Sequence, residues 1–170
     1  LTAGTTTVPK DASSTRANIL AAAVQTLQRG GIEGFTLDAV ARRAGVVKGL
    51  ILYHYASRGR LLRAAASQIA ASRSAAIEHA LGSAPGAAAL DACWEELRRQ
   101  AEDGTARAWL SLCAAGYIDR SARNAQFEDA ARDAVIDGSA IALAAGVPLA
   151  DAKDAYDALW LTLLEVTQKS

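Results

Sequence analysis

An all-α fold is predicted by three features of this 170-residue sequence. Apolar residues make up 51% of it and aromatics only 5%, with alanine, the best helix former and a poor strand former, as the largest contributor. Apolar positions recur at i, i+3, i+4 and i+7 in one segment after another. Gly, Pro, Ser and Thr fall between those segments, where helices start and stop.

Taken in order, residues 1–13 are rich in Thr, Gly, Pro and Ser and predict a mobile arm. From Ser14 the residues Ile19, Leu20, Ala23, Val24 and Leu27 share one face, and Gly30-Gly31 closes that first helix. Thr36 is placed to cap a short second helix carrying Leu37, Val40, Ala41 and Ala44, and Gly45 stops it. A third short helix runs from about Val47 to Tyr55. Ser57 then caps a long fourth helix with the stripe Leu62, Ala65, Ile69, Ser72, Ala76 and Ala80, broken at residues 82–86.

Two further helices repeat one amphipathic spacing: Leu90, Cys93, Trp94, Leu97 and Ala101, then Ala106, Trp109, Leu110, Cys113 and Tyr117, with a turn at residues 102–105. The last two helices span about 121–145 and 148–168, divided at Gly146-Val147-Pro148. Small residues from Gly138 to Ala145 would let a partner helix approach the first of these closely. The final helix is apolar on more than one side, with Ala155, Tyr156, Leu159, Trp160, Leu163 and Leu164 joined by Leu161 and Val166. Such a helix either lies under neighbours or packs on a second subunit.

Formal net charge is zero, but the charge is divided along the chain. Residues 1–63 carry nine basic side chains (Lys10, Arg16, Arg29, Arg42, Arg43, Lys48, Arg58, Arg60, Arg63) against three acidic ones (Asp11, Glu33, Asp38), a net of +6. The remainder is −6. A basic head on an acidic body suits a protein that docks one end on a polyanion.

Other classes are disfavoured. Cys93 and Cys113 are too few and too far from His to build a metal site or a disulfide framework, and read as reduced core thiols. No Ser-His-Asp order, HExxH pair or phosphate loop suggests an enzyme, and no cofactor is expected. The chain shows neither a membrane-length apolar run nor an export signal, so a cytoplasmic protein is expected, on the nucleoid when bound. It also contains no Met, so the translation start is expected to lie upstream of Leu1.

The segment from Thr36 to Gly49 has the helix, glycine turn and helix order of a helix-turn-helix. The major groove of B-DNA admits one helix, and the helix before it presents its N-terminal amides to phosphate. Thr36 stands at that N-terminus, Lys48 opens the recognition helix, and Gly49 leaves no side chain between backbone and duplex. Leu50 could meet a thymine methyl, Tyr53 and His54 lie toward the far end, and Arg58 opens the fourth helix beside its free amides. Tyr55 reads as core, Arg42 and Arg43 as solvated charge or phosphate contacts, and His54 alternatively as a hydrogen-bonded structural residue.

The run Gly31-x-x-Gly34-Phe35-Thr36-x-x-x-Val40-Ala41-x-x-Ala44-Gly45-Val46-x-Lys48-Gly49-x-Ile51-x-Tyr53-His54-Tyr55-x-Ser57-Arg58-x-x-Leu61, preceded by Arg16-x-x-Ile19-Leu20-x-Ala22-Ala23, resembles the TetR family of bacterial regulators over about 50 residues. The resemblance implies an all-α homodimer with a three-helix DNA-binding module (14–60) and a helical ligand-binding and dimerisation body (61–170). It carries Thr36, Lys48, Gly49, His54 and Arg58 over as DNA-site positions, with Tyr55 at a usual Phe. Val47 stands where a Ser or Thr is common and Leu52 where a Tyr is common, leaving Tyr53 as a stand-in for a phosphate contact.

The expected DNA site is therefore Thr36, Val47, Lys48, Gly49, Leu50, Tyr53, His54 and Arg58. His79, Trp94, Trp109, Cys113 and Tyr117 are candidates for an effector pocket that takes a small apolar or aromatic molecule, against the plainer reading of each Trp as core. Ala131, Val135, Tyr156, Leu159, Trp160, Leu163 and Leu164 are the candidate dimer interface. The function expected is a repressor released from double-stranded operator DNA by an effector. The alternative is an architectural or cell-cycle DNA binder of the same fold that couples to a protein partner without a small ligand. A closed apolar cavity in the body would favour the first, a filled core the second.

Overall fold

The computed structural model describes residues 12–118 and 127–167. It contains α1 (Ala12–Gly30), α2 (Leu37–Ala44), α3 (Lys48–Tyr55), α4 (Arg58–Gly82), α5 (Ala87–Glu102), α6 (Thr105–Ala114), α7 (Phe127–Ala144) and α8 (Leu149–Thr167), with no strand among the described residues. The expected arm falls mostly outside them, as do residues 121–126 of the penultimate helix and the side chain of Val166.

The local signals act as expected at most helix ends. Thr36 caps α2 by accepting the Ala39 N–H at 3.1 Å, and Ser57 caps α4 by accepting that of Arg60 at 3.2 Å. Gly45 closes α2 in the left-handed conformation at φ 65°, where a side chain would be strained. One helix is shorter than the sequence pattern implied: α6 ends at Ala114, and Tyr117 lies past a turn at Gly116.

Two apolar cores result. The first joins Ile19, Leu27, Val40, Ile51 and Tyr55 of the N-terminal helices and Phe35 of the loop between α1 and α2 to Leu61, Leu62 and Ile69 of α4 and to Ala108, Trp109 and Leu112 of α6. The second gathers Ile77, Cys93, Trp94, Leu97, Val135, Ile136, Tyr156 and Trp160 from α4, α5, α7 and α8. Burial pushes the thiol of Cys93 and the phenol of Tyr156 up from their ordinary values, and each group's proximity to the other adds to the rise for Tyr156. Both stay neutral near pH 7.

The fourth helix differs from its expected stripe. Ser72 is exposed and Ala76 half-buried, while Arg73 and Ile77 point inward. The guanidinium of Arg73 lies 4.0 Å from the centre of the Trp109 ring and 3.2 Å from Asp137, so an ion pair occupies a position where apolar periodicity would not place a charge. At the N-terminus of α6, Gln28 donates to Thr105 Oγ1 at 2.8 Å. Gly104, buried at φ 83°, sits so close to the Gln28 carbonyl that a Cβ would collide with it.

Candidate nucleic-acid interface

Helices α2 and α3 are braced against α1 by polar side chains as well as by the core. Asn18 donates to the Ala44 carbonyl at 2.9 Å, which fixes the end of α2, and Arg43 Nε donates to Thr26 Oγ1 at 3.2 Å. The buried Tyr55 donates its hydroxyl to the Arg16 carbonyl at 3.0 Å while the Arg16 guanidinium lies over its ring. Burial raises the Tyr55 phenol and the Arg16 charge opposes that rise. Asn18 and Thr26 escaped notice in the sequence because lone polar residues on a helix face carry no periodic signal.

The two sides of α3 are sharply different. Ile51 and Tyr55, one turn apart, enter the core, while Val47 is 74% and Tyr53 81% exposed. Lys48, Gly49 and Leu52 are exposed too, and Leu50 and His54 are half-buried. The His54 ring meets that of Tyr53 edge-on at 5.2 Å. Lys48 Nζ pairs with Asp38 at 3.1 Å across the turn, and a Cβ at Gly49 would meet nothing within 4 Å. Val47 is the N-terminal flanking residue of α3 and gives it no side-chain cap.

Arg58 is partly committed within the domain. Its Nε donates to the Phe35 carbonyl at 2.9 Å and its guanidinium lies over the Phe35 ring, which ties α4 to the loop before α2. Ala56, between α3 and α4, has φ 60° and ψ −33°, and the Ser57 N–H reaches back to the Tyr55 carbonyl at 2.7 Å. This is a tight γ-type turn of the strained hand, and it sets the angle at which α3 leaves α4.

The candidate effector-pocket residues divide between the two cores and the surface. Trp94 lies in the second core, whereas Trp109, Cys113 and Tyr117 belong to or pack on the first, and His79 is exposed. A stripe shows that a side chain is buried but not which core receives it. In the expected interface, Val135, Tyr156 and Trp160 are buried in their own chain at 6%, 0% and 7% exposure. The Tyr156 hydroxyl donates to the Leu90 carbonyl at 2.9 Å. Ala131 and Leu163 are half-buried, and Leu159 and Leu164 are exposed along with Leu161 and Ile141.

A turn-linked helix pair with its second helix exposed, on an all-helical body, defines a helix-turn-helix regulator fold. Residues 19–65 match the model of the TetR family of bacterial regulatory proteins. No curated protein matches the chain. Among solved structures, a TetR-family member from Streptomyces coelicolor A3 is 21% identical, covering 88% of this chain and 97% of its own, with a TM-score of 0.63. The multidrug binding protein EbrR, complexed with imidazole, is 22% identical over 96% of this chain and 97% of its own, with a TM-score of 0.61. A Rhodococcus sp. protein assigned to the TetR-family transcriptional regulators is 26% identical over 91% and 98%, with a TM-score of 0.53. No described helix is long and apolar enough to cross a membrane.

Proposed function

We propose that this chain is a repressor that binds operator DNA as a homodimer through α2 and α3 and is released by a small molecule held in its body. The observation that carries the DNA reading is the two-sidedness of α3: Ile51 and Tyr55 anchor it, and Val47, Lys48, Gly49 and Tyr53 form a face that its own chain leaves uncovered, with the half-buried Leu50 beside it. Thr36 and Arg58 flank that face at the starts of α2 and α4, where free amides favour phosphate. His54 stands beside Tyr53 on its edge.

The dimer is proposed through the outer sides of the last two helices. Ala134, Gly138 and Ile141 form an exposed stripe on α7, and Leu159, Leu161 and Leu164 flank the buried stripe of α8. The release reading draws on the fold shared with a multidrug binding protein. One observation bears on the second reading, an architectural DNA binder without a small ligand: Trp94, Tyr156 and Trp160 pack against one another in the body's core.

The test is to select a binding site from a pool of random duplexes and to follow affinity against salt. The proposal expects a log–log slope of several units, as counterions leave the phosphates the dimer neutralises, and half-sites centred about 34 Å or a multiple apart. Lys48→Ala should weaken the selected site more than random DNA if Lys48 reads a base. A flat salt response would overturn the DNA reading.

A further inference from the structure

Among the described residues from 12 to 118, the large apolar side chains exposed to solvent are Val47, Leu52 and Tyr53. All three lie in α3 or immediately before it, with the half-buried Leu50 between them. Single exposed apolar residues are ordinary, but a cluster on one short helix marks a contact surface. Building on the DNA-binding reading, we infer that this face recognises the C5 methyl groups of thymines in the major groove. The bound half-sites then carry A·T pairs opposite Val47 and Leu50.

Each base presents its own groups in the major groove. Guanine is read by paired donors from Arg or Lys, adenine by Asn or Gln, cytosine by Asp or Glu, and thymine by apolar contact with its methyl. Residues 47–55 contain no Arg, Asn, Gln, Asp or Glu. Lys48 is the one side chain of that stretch from the first three classes, and its Nζ lies 3.1 Å from the Asp38 carboxylate. Tyr55 gives its hydroxyl to the Arg16 carbonyl inside the domain. Tyr53 and His54 stand toward the C-terminal end of α3, whereas a recognition helix meets base edges with its N-terminal residues. Methyl contact is the readout that the remaining side chains supply.

Val47 is placed to be the first reader. It flanks the N-terminus of α3 in extended backbone and is 74% exposed. The Leu50 N–H donates to the Val47 carbonyl at 3.0 Å, and residues three apart on a helix are neighbours on one side of it. Gly49 between them carries no side chain to hold the helix away from the duplex. The occupant of this apolar face is set by the charge around it. Residues 1–63 carry a net charge of +6, which attracts a polyanion and repels a second copy of the same surface.

The experiment follows binding of the full chain by fluorescence anisotropy on a duplex selected from the random pool, with each thymine in turn replaced by deoxyuridine. Uracil keeps the base pair and every hydrogen-bonding group of thymine and lacks only the methyl. Losing one buried methyl should weaken binding about fourfold, and about 15-fold when the symmetry-related position is changed as well. Val47→Ala, at a position outside the core, should bind the thymine duplex more weakly and lose the uracil penalty at one position in each half-site. A melting curve checks that the variant folds. A selected half-site without thymine, or a uracil penalty that Val47→Ala leaves unchanged at every position, overturns the inference. Equal affinity for thymine and uracil duplexes together with a steep salt response keeps the DNA reading and overturns methyl recognition alone. No affinity for any duplex overturns both.

Discussion

Gly49→Ala tests the proposed interface because free protein and complex should respond with opposite signs. Gly49 lies in the first turn of α3, and a methyl group placed there would meet nothing within 4 Å of its own chain. Ala is favoured over Gly inside a helix by about 0.5–1 kcal/mol, so the free protein should gain up to that amount and melt roughly 1–4 °C higher. Against DNA the same methyl enters a surface where backbone and duplex are proposed to touch. Overpacking of a fitted contact costs about 1–3 kcal/mol, or roughly 5- to 150-fold in affinity. Thermal unfolding measures the first effect and fluorescence anisotropy on a selected duplex the second. A variant that melts higher and binds as tightly as the parent would refute the placement of Gly49 against the groove.

Ala56→Gly is the converse case: relief of the positive φ, about 1–2 kcal/mol, exceeds the added chain entropy of Gly, so the urea midpoint should rise, and a lower midpoint would refute strain at Ala56. Trp160→Glu should unfold the body, since burying a charge adds to a cavity cost of about 3–5 kcal/mol, whereas Leu161→Glu, at an exposed position, should give folded monomers. Light scattering with circular dichroism distinguishes those outcomes, and a folded monomeric Trp160→Glu would refute the assignment of that side chain to the core. For Glu96, burial would raise the carboxyl, but hydrogen bonds from Arg99 and Gln100 and the Arg99 charge prevail and hold it below its ordinary value. Its contribution is therefore complete above the unfolded carboxylate range and is lost as pH falls through the lowered folded value. Glu96→Gln should flatten the acid limb of the stability curve, and an unchanged limb would argue against the linkage.

Helix ends and the helix-turn-helix were legible because each is written in adjacent residues: Thr36 and Ser57 as caps, Gly45 as a stop, and Ile51 with Tyr55 as an anchor pair one turn apart. The body was less legible because its determinants are relations between distant segments. Arg73 escaped the α4 stripe because apolar periodicity prefers Ser72 and Ala76 to an arginine, and only Trp109 and Asp137, far along the chain, make its burial tolerable. The final helix showed an excess of apolar side chains, but its sequence could not say that Tyr156 and Trp160 meet their own chain while Leu161 remains outside. Trp94 and Trp109 show the same limit, since the same spacing sends them to different cores.

The shared first core has a thermodynamic consequence. Trp109 and Leu112 of α6 fill the same interior as Phe35 of the loop before α2, Val40 of α2 and Ile51 of α3, so the head cannot melt without exposing part of the body. Operator binding should raise the melting temperature recorded by a probe near Trp109 as well as one in α3, and both probes should report one transition. The ability to read DNA and the integrity of the body are then two readouts of one cooperative unit.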